Sequence, residues 1–159
     1  MLPAVTSSPL SMSDRRAPIR KTPVEILADL VDGHREALYG GAEAGKKYLL
    51  KFRERNDSLP NAVKFFLYDL LAEDAGKSGD LDTCRTAVPQ ASGYLPAARA
   101  DLLPRFREYL PSIRFFERGI ALLIDDGEFE KALALCDEAI ALGLGPVYIA
   151  KRTSIERMM

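Results

Sequence analysis

Residues 113–144 read IRFFERGIALLIDDGEFEKALALCDEAIALGL, and the fold class follows from how they are spaced. In the first half Ile113, Phe116, Ile120, Leu123 and Ile124 recur at three- and four-residue steps, which places them on one helical face. Arg114, Glu117, Arg118 and Asp125 fall mostly elsewhere. Pro111 suits a helix start, because the donor it lacks would be unpaired there anyway. Gly127 supplies a permissive backbone where the chain must turn. The second half repeats the design with Phe129, Ala132, Leu133, Cys136, Ala139 and Ile140, led by acidic Glu128 and Glu130 in the first turn. Gly143 and Gly145 stop it. The stretch is a pair of short amphipathic helices folded back on each other.

An echo of this hairpin lies upstream. Leu59-Pro60-Asn61-Ala62-Val63-Lys64-Phe65-Phe66 matches Leu110-Pro111-Ser112-Ile113-Arg114-Phe115-Phe116 with one residue's slip, and Gly79-Asp80-Leu81 matches Gly127-Glu128-Phe129. Pro60–Gly76 and Asp80–Ser92 are therefore expected to form an earlier hairpin, with Leu67, Leu70 and Leu71 packing on Leu81, Cys84 and Val88. Pro89 should kink or end the second arm, since proline inside a helix costs about 3 kcal/mol. Tyr94–Leu110 is expected as a separate helix inserted between the hairpins, started by Pro96 and bent by Pro104. Pro146–Met158 is a terminal helix with Val147, Ala150, Ile155 and Met158 inward, covering the last unit.

Before the echo, Thr22-Pro23-Val24-Glu25 is a capping box with proline at the first helical position. The helix it opens turns Val24, Leu27, Leu30, Val31, Ala37 and Leu38 inward and ends at Gly40–Gly41. Ala42–Arg55 form the next, with Ala44, Tyr48, Leu49 and Phe52 buried. Residues 1–21 hold Pro3, Pro9 and Pro18 among serines and the cations Arg15, Arg16, Arg20 and Lys21 without any period, and are expected as a disordered basic tail. Met12 is a second candidate start. Residues 22–159 are expected as a single domain.

The hairpin of residues 113–144 resembles a tetratricopeptide unit: Phe116, Gly119, Ile120 and Leu123, then Ala132, Cys136 and Ala139, stand at that repeat's large, small and tight-packing steps. The sequence departs from the pattern at Gly119–Ile120, where large residue and glycine are exchanged, and at Leu144, where proline is usual. The fold expected is all-α, about eight short helices in stacked αα-hairpins, and the resemblance implies a right-handed array. It also implies a groove lined by first helices, toward which Lys64, Arg114, Glu117, Tyr148 and Lys151 would project to hold a partner peptide or helix. Lys64 and Arg114 are equivalent in the echo, so the row of cations suits an acidic segment. The bland alternative is that these are solvated charges.

With 159 residues, 47% apolar residues and 28% charged ones, the chain has room and material for one core. A formal net charge of −1 argues against a chain that is basic overall. The basic stretch is local: Lys47, Lys51 and Arg55 follow at four-residue steps, flanked by Lys46 and Arg53. This stripe could neutralise phosphates, which makes nucleic-acid association the second reading, although Glu43 four residues before Lys47 also fits an exposed helix. No apolar run is long enough for a membrane span, and Met1–Pro9 lacks the basic start and apolar core of a signal peptide, so a cytoplasmic location is expected.

Chemistry leaves little trace in the sequence. One histidine, His34, and two separated cysteines, Cys84 and Cys136, do not make a zinc set, and the cysteines are expected as buried free thiols. His34 has no acidic or thiol neighbour in sequence and is expected as a surface or packing residue. Glycine patterns for dinucleotides or phosphates are missing. The acidic pairs Glu73–Asp74, Asp80/Asp82 and Asp125–Asp126 sit at helix ends, where capping accounts for them. The expectation is a non-enzymatic binding module or scaffold with no cofactor and no metal; a small helical enzyme with a carboxylate site assembled in space is the third reading.

Overall fold

The computed structural model describes residues 21–56 and 58–159, so the segment expected as a tail lies, except for Lys21, outside the described residues. Seven α-helices and no strand occur among them: α1 Pro23–Ala37, α2 Ala42–Arg55, α3 Asn61–Lys77, α4 Leu81–Phe106, α5 Phe115–Asp125, α6 Phe129–Ala141 and α7 Val147–Met158. Short 3-10 segments, Leu38–Gly40 and Arg107–Ser112, follow α1 and α4. Each helix packs on the next in the chain, and α3 also touches α1 and α5.

The first helix starts as its sequence dictates. The Thr22 hydroxyl accepts from the backbone N–H of Glu25 while the Glu25 carboxylate accepts from that of Thr22. Leu27 and Leu30 face the core; Leu38, expected inward, is on the exposed side of the turn.

The centre of the molecule is α3. Ala62, Val63, Phe65, Phe66, Leu67, Leu71, Ala72 and Ala75 are all buried, so apolar residues surround it instead of forming one stripe. A helix apolar all round must be covered on every side, and α1, α2, α4 and α5 do so.

The expected eight helices are seven because the segments expected at Asp80–Ser92 and Tyr94–Leu110 run together as one helix of 26 residues, α4, which ends at Phe106. Neither Pro89 nor Pro96 ends it. Their seven-residue spacing puts both on one face, and both are exposed. The opposite face, Cys84, Ala87, Val88, Ala91, Leu95 and Ala98, is buried without a break. Tertiary burial along that face therefore outweighs the local cost of proline. Asp80 caps the start, its carboxylate accepting from the Thr83 N–H.

The hairpin α5–α6 turns at Gly127, whose φ of +76° only glycine adopts readily. Ala132, Cys136 and Ala139 are buried against α5, and Phe116 is fully buried. The echo is visible in three dimensions as a file of edge-on rings. Phe66 meets Phe65 (5.6 Å between centroids), Phe65 meets Phe115 (5.4 Å), Phe115 meets Phe116 (5.1 Å) and Phe116 meets Tyr148 (6.2 Å). This file joins α3, α5 and α7. The inner residues of α7 are Tyr148 and Ile155; Val147, Ala150 and Met158, expected inward, are exposed.

Candidate interaction site

Of the side chains expected to line a partner groove, the structure brings three toward the α5–α7 side. Arg114 is the exposed N-cap residue of α5, Glu117 lies exposed one turn on, and Lys151 borders a cleft against Ile124 of α5. Tyr148 is 4% exposed, its ring spent on the Phe116 contact, so it contributes core packing there. Lys64 lies elsewhere: its ammonium sits 5.1 Å from the centroid of the Tyr94 ring on α4, and Tyr94 in turn stacks on Tyr68.

The basic stripe is also divided. Lys46 bonds Asp80 at 2.8 Å and Glu43 at 3.1 Å, tying α2 to the start of α4. Held by Lys46 and by Thr83, the Asp80 carboxyl drops to a pKa of about 2. Lys47, Lys51, Arg53 and Arg55 remain exposed. Arg53 opens on a separate cleft shared by α2, α3 and α4, beside Asp82, Thr83 and Thr86.

Three buried polar groups escaped the sequence reading. The His34 Nε2 lies 2.6 Å from Asp74 Oδ2, both side chains nearly inaccessible. Gly45 of α2 lies over this carboxylate: a Cβ there would stand 2.5 Å from Asp74 Oδ2. One turn earlier on α3, Asp69 accepts from the Arg114 backbone N–H at 3.1 and 3.2 Å, capping α5 from a neighbouring helix. Burial pushes the Asp69 carboxyl up to about 7, against the pull of that N–H and the Arg114 charge. Glu73, the next acid along, bonds Arg118 and Lys77; burial opposes its ionisation, yet the two cations hold its pKa below the ordinary value. Asp74 and Glu73 are thus tertiary ties, not the local caps expected of a helix-end pair. Their only sequence signal is an acid repeated every four or five residues on a helix otherwise apolar.

Cys84 and Cys136 are buried and free. No group of three metal-ligating side chains occurs among the described residues, nor is any helix there long and apolar enough to cross a membrane. His34, Asp69 and Asp74 line none of the clefts described here.

The most apolar of these clefts lies between α4, α5 and α6. Val88, Pro89, Gly119, Leu122, Leu123 and Leu135 form its walls over the Phe115 ring, enclosing about 310 Å³. Arg85 and Asp126, 3.5 Å apart, stand at the rim with Lys131. Because Pro89 has no N–H, the Arg85 carbonyl on this wall loses its helical partner. None of the residues expected from the sequence to bind a partner lines this groove. Its walls come from three helices far apart in sequence, and leucines that face a groove read like leucines that face a core.

Comparison of the chain with protein-family models, with curated proteins and with solved structures finds no match.

Proposed function

We propose that the chain is a non-enzymatic protein-binding module of tetratricopeptide-like build, and that its recognition surface is the groove between α4, α5 and α6. The observation that carries this reading is the groove's lining: half-buried leucines and an exposed proline over buried Val88 and Phe115, bordered by charges of both signs. Such a surface suits the apolar side chains of a peptide or helix laid into it. The sequential helix packing and the ring file along α3, α5 and α7 support the repeat build. The spending of His34, Asp69 and Asp74 on pairing and capping speaks for binding over catalysis. Two free buried thiols fit a reducing, cytoplasmic setting.

The test is affinity capture from the native host with wild-type chain and with Leu122→Glu, folding of both being checked by circular dichroism. Leu122 is half-buried at the groove wall, and a carboxylate there should abolish capture of the specific partner. A partner retained undiminished by the folded variant sinks the assignment. Nucleic-acid association through Lys47, Lys51, Arg53 and Arg55 is the weaker reading, since Lys46 is already engaged by two carboxylates; retention on heparin at low salt would favour it.

A further inference from the structure

On α7, Val147, Ala150, Ser154 and Met158 follow at steps of three and four residues and form an exposed stripe beside the buried line of Tyr148 and Ile155. Val147 is 54% exposed and Met158 53%. With Ile124 of α5 and Ile155 at its floor, the stripe borders a cleft of about 320 Å³. The stripe is large at both ends and small in the middle, so a helix can approach closely over Ala150 and Ser154. Lys151 borders one edge and Arg157 the other, and neither is paired with a carboxylate among the described residues. The remaining cation of the helix, Arg152, is turned away and occupied by Asp137 and Glu156.

We propose that this face of α7 docks an amphipathic helix of another protein whose apolar stripe is bordered by carboxylates. The charges choose the occupant. A second copy of the chain, laid antiparallel on the same stripe, would bring Lys151 against Lys151, and like charges in such a contact are costly. The chain's own residues 1–20 carry Arg15, Arg16 and Arg20 against one acid, Asp14, the wrong sign for these edges. An acidic amphipathic helix buries its apolar side chains against Val147, Ile124 and Met158 and pairs with Lys151 and Arg157. This surface is separate from the groove of α4, α5 and α6, and neither assignment depends on the other.

The test uses the full chain and two labelled synthetic amphipathic peptides with identical leucine stripes, one bordered by glutamates and the other by lysines. Binding is read by fluorescence anisotropy and the site by amide shifts. The glutamate peptide should bind, shift the Val147–Met158 amides, and weaken about tenfold in Lys151→Glu/Arg157→Glu. The lysine peptide should bind that double variant better than the wild type. Arg157→Glu alone, at an exposed position, gives the same direction if Lys151→Glu disturbs folding. Equal binding of both peptides, no binding, or shifts confined to the α4–α6 groove would overturn the proposal. So would a concentration-dependent dimer that Val147→Ser/Met158→Ser dissolves.

Discussion

The Phe116 and Tyr148 rings meet edge to face, 6.2 Å between centroids at an interplanar angle of 73°. Tyr148, which the tetratricopeptide resemblance points toward a partner, instead joins α7 to α5 through this ring contact. Edge-on ring pairs contribute about 0.5–1.5 kcal/mol beyond the area they bury, and here five such rings run in one file across three helices.

Cutting this file should be expensive. Phe116 has no solvent exposure, and Phe116→Ala should cost about 3–5 kcal/mol, a large share of a typical domain's stability of about 5–15 kcal/mol. Tyr148→Ala should fall in a similar range, whereas Tyr148→Phe, which keeps the ring contact, should cost far less. Urea denaturation of the three variants checks the order. A Phe116→Ala midpoint within experimental error of wild type would show that the file carries no load.

The His34–Asp74 pair gives a second expectation. Removing one partner of a buried hydrogen bond leaves the other unsatisfied, at a cost of about 1–3 kcal/mol. His34→Ala leaves Asp74, 1% exposed, in that position. Gly45→Ala should destabilise as well, since its Cβ would press on the same carboxylate at 2.5 Å. If His34→Ala melts as the wild type does, the imidazole is not what holds Asp74.

How much of this was legible follows from where each signal lives. The capping box at Thr22, the α2 limits Ala42–Arg55 and the hairpin at Gly127 are set by neighbours in sequence, and they stand as read. Pro89 and Pro96 misled because a proline's local cost is visible in sequence while the face it occupies is not. The inner face of α7 was misassigned because Val147, Ala150 and Met158 share a helical period as regular as that of Tyr148 and Ile155, and only the position of α6 decides between them. Other contacts join residues 40 or more apart: His34 to Asp74 and Asp69 to the N–H of Arg114, while Val88 and Leu135 line one groove from different helices. No local rule pairs these.

The prolines of α4 give a third prediction. The helix is already continuous through Pro89, and the proline faces solvent. Pro89→Ala restores an N–H for the Arg85 carbonyl and removes the ring's crowding, so it should stabilise the chain by up to about 3 kcal/mol, the penalty proline carries in a helix interior. Thermal melts decide it, and a lower melting temperature would mean that the ring packs usefully into the groove it lines.

Asp69 should make stability depend on pH in an unusual direction. Its folded-state pKa of about 7 lies above the ordinary 3.8, because burial disfavours the charged form more than the Arg114 N–H and charge favour it. The folded chain therefore binds a proton more tightly than the unfolded one. The stability this confers is complete below about pH 4 and is lost as pH rises through 7, on the order of a few kcal/mol over that window. Asp80 works the other way: Lys46 and Thr83 hold it at about 2, so its contribution is present above the ordinary carboxyl range and disappears as pH falls through 2. Between pH 4 and 7 the Asp69 slope should be visible in urea titrations, and Asp69→Asn, which cannot ionise, should flatten it. A wild-type slope that persists unchanged in Asp69→Asn would assign the titration to another group and leave Asp69 as an ionised cap throughout.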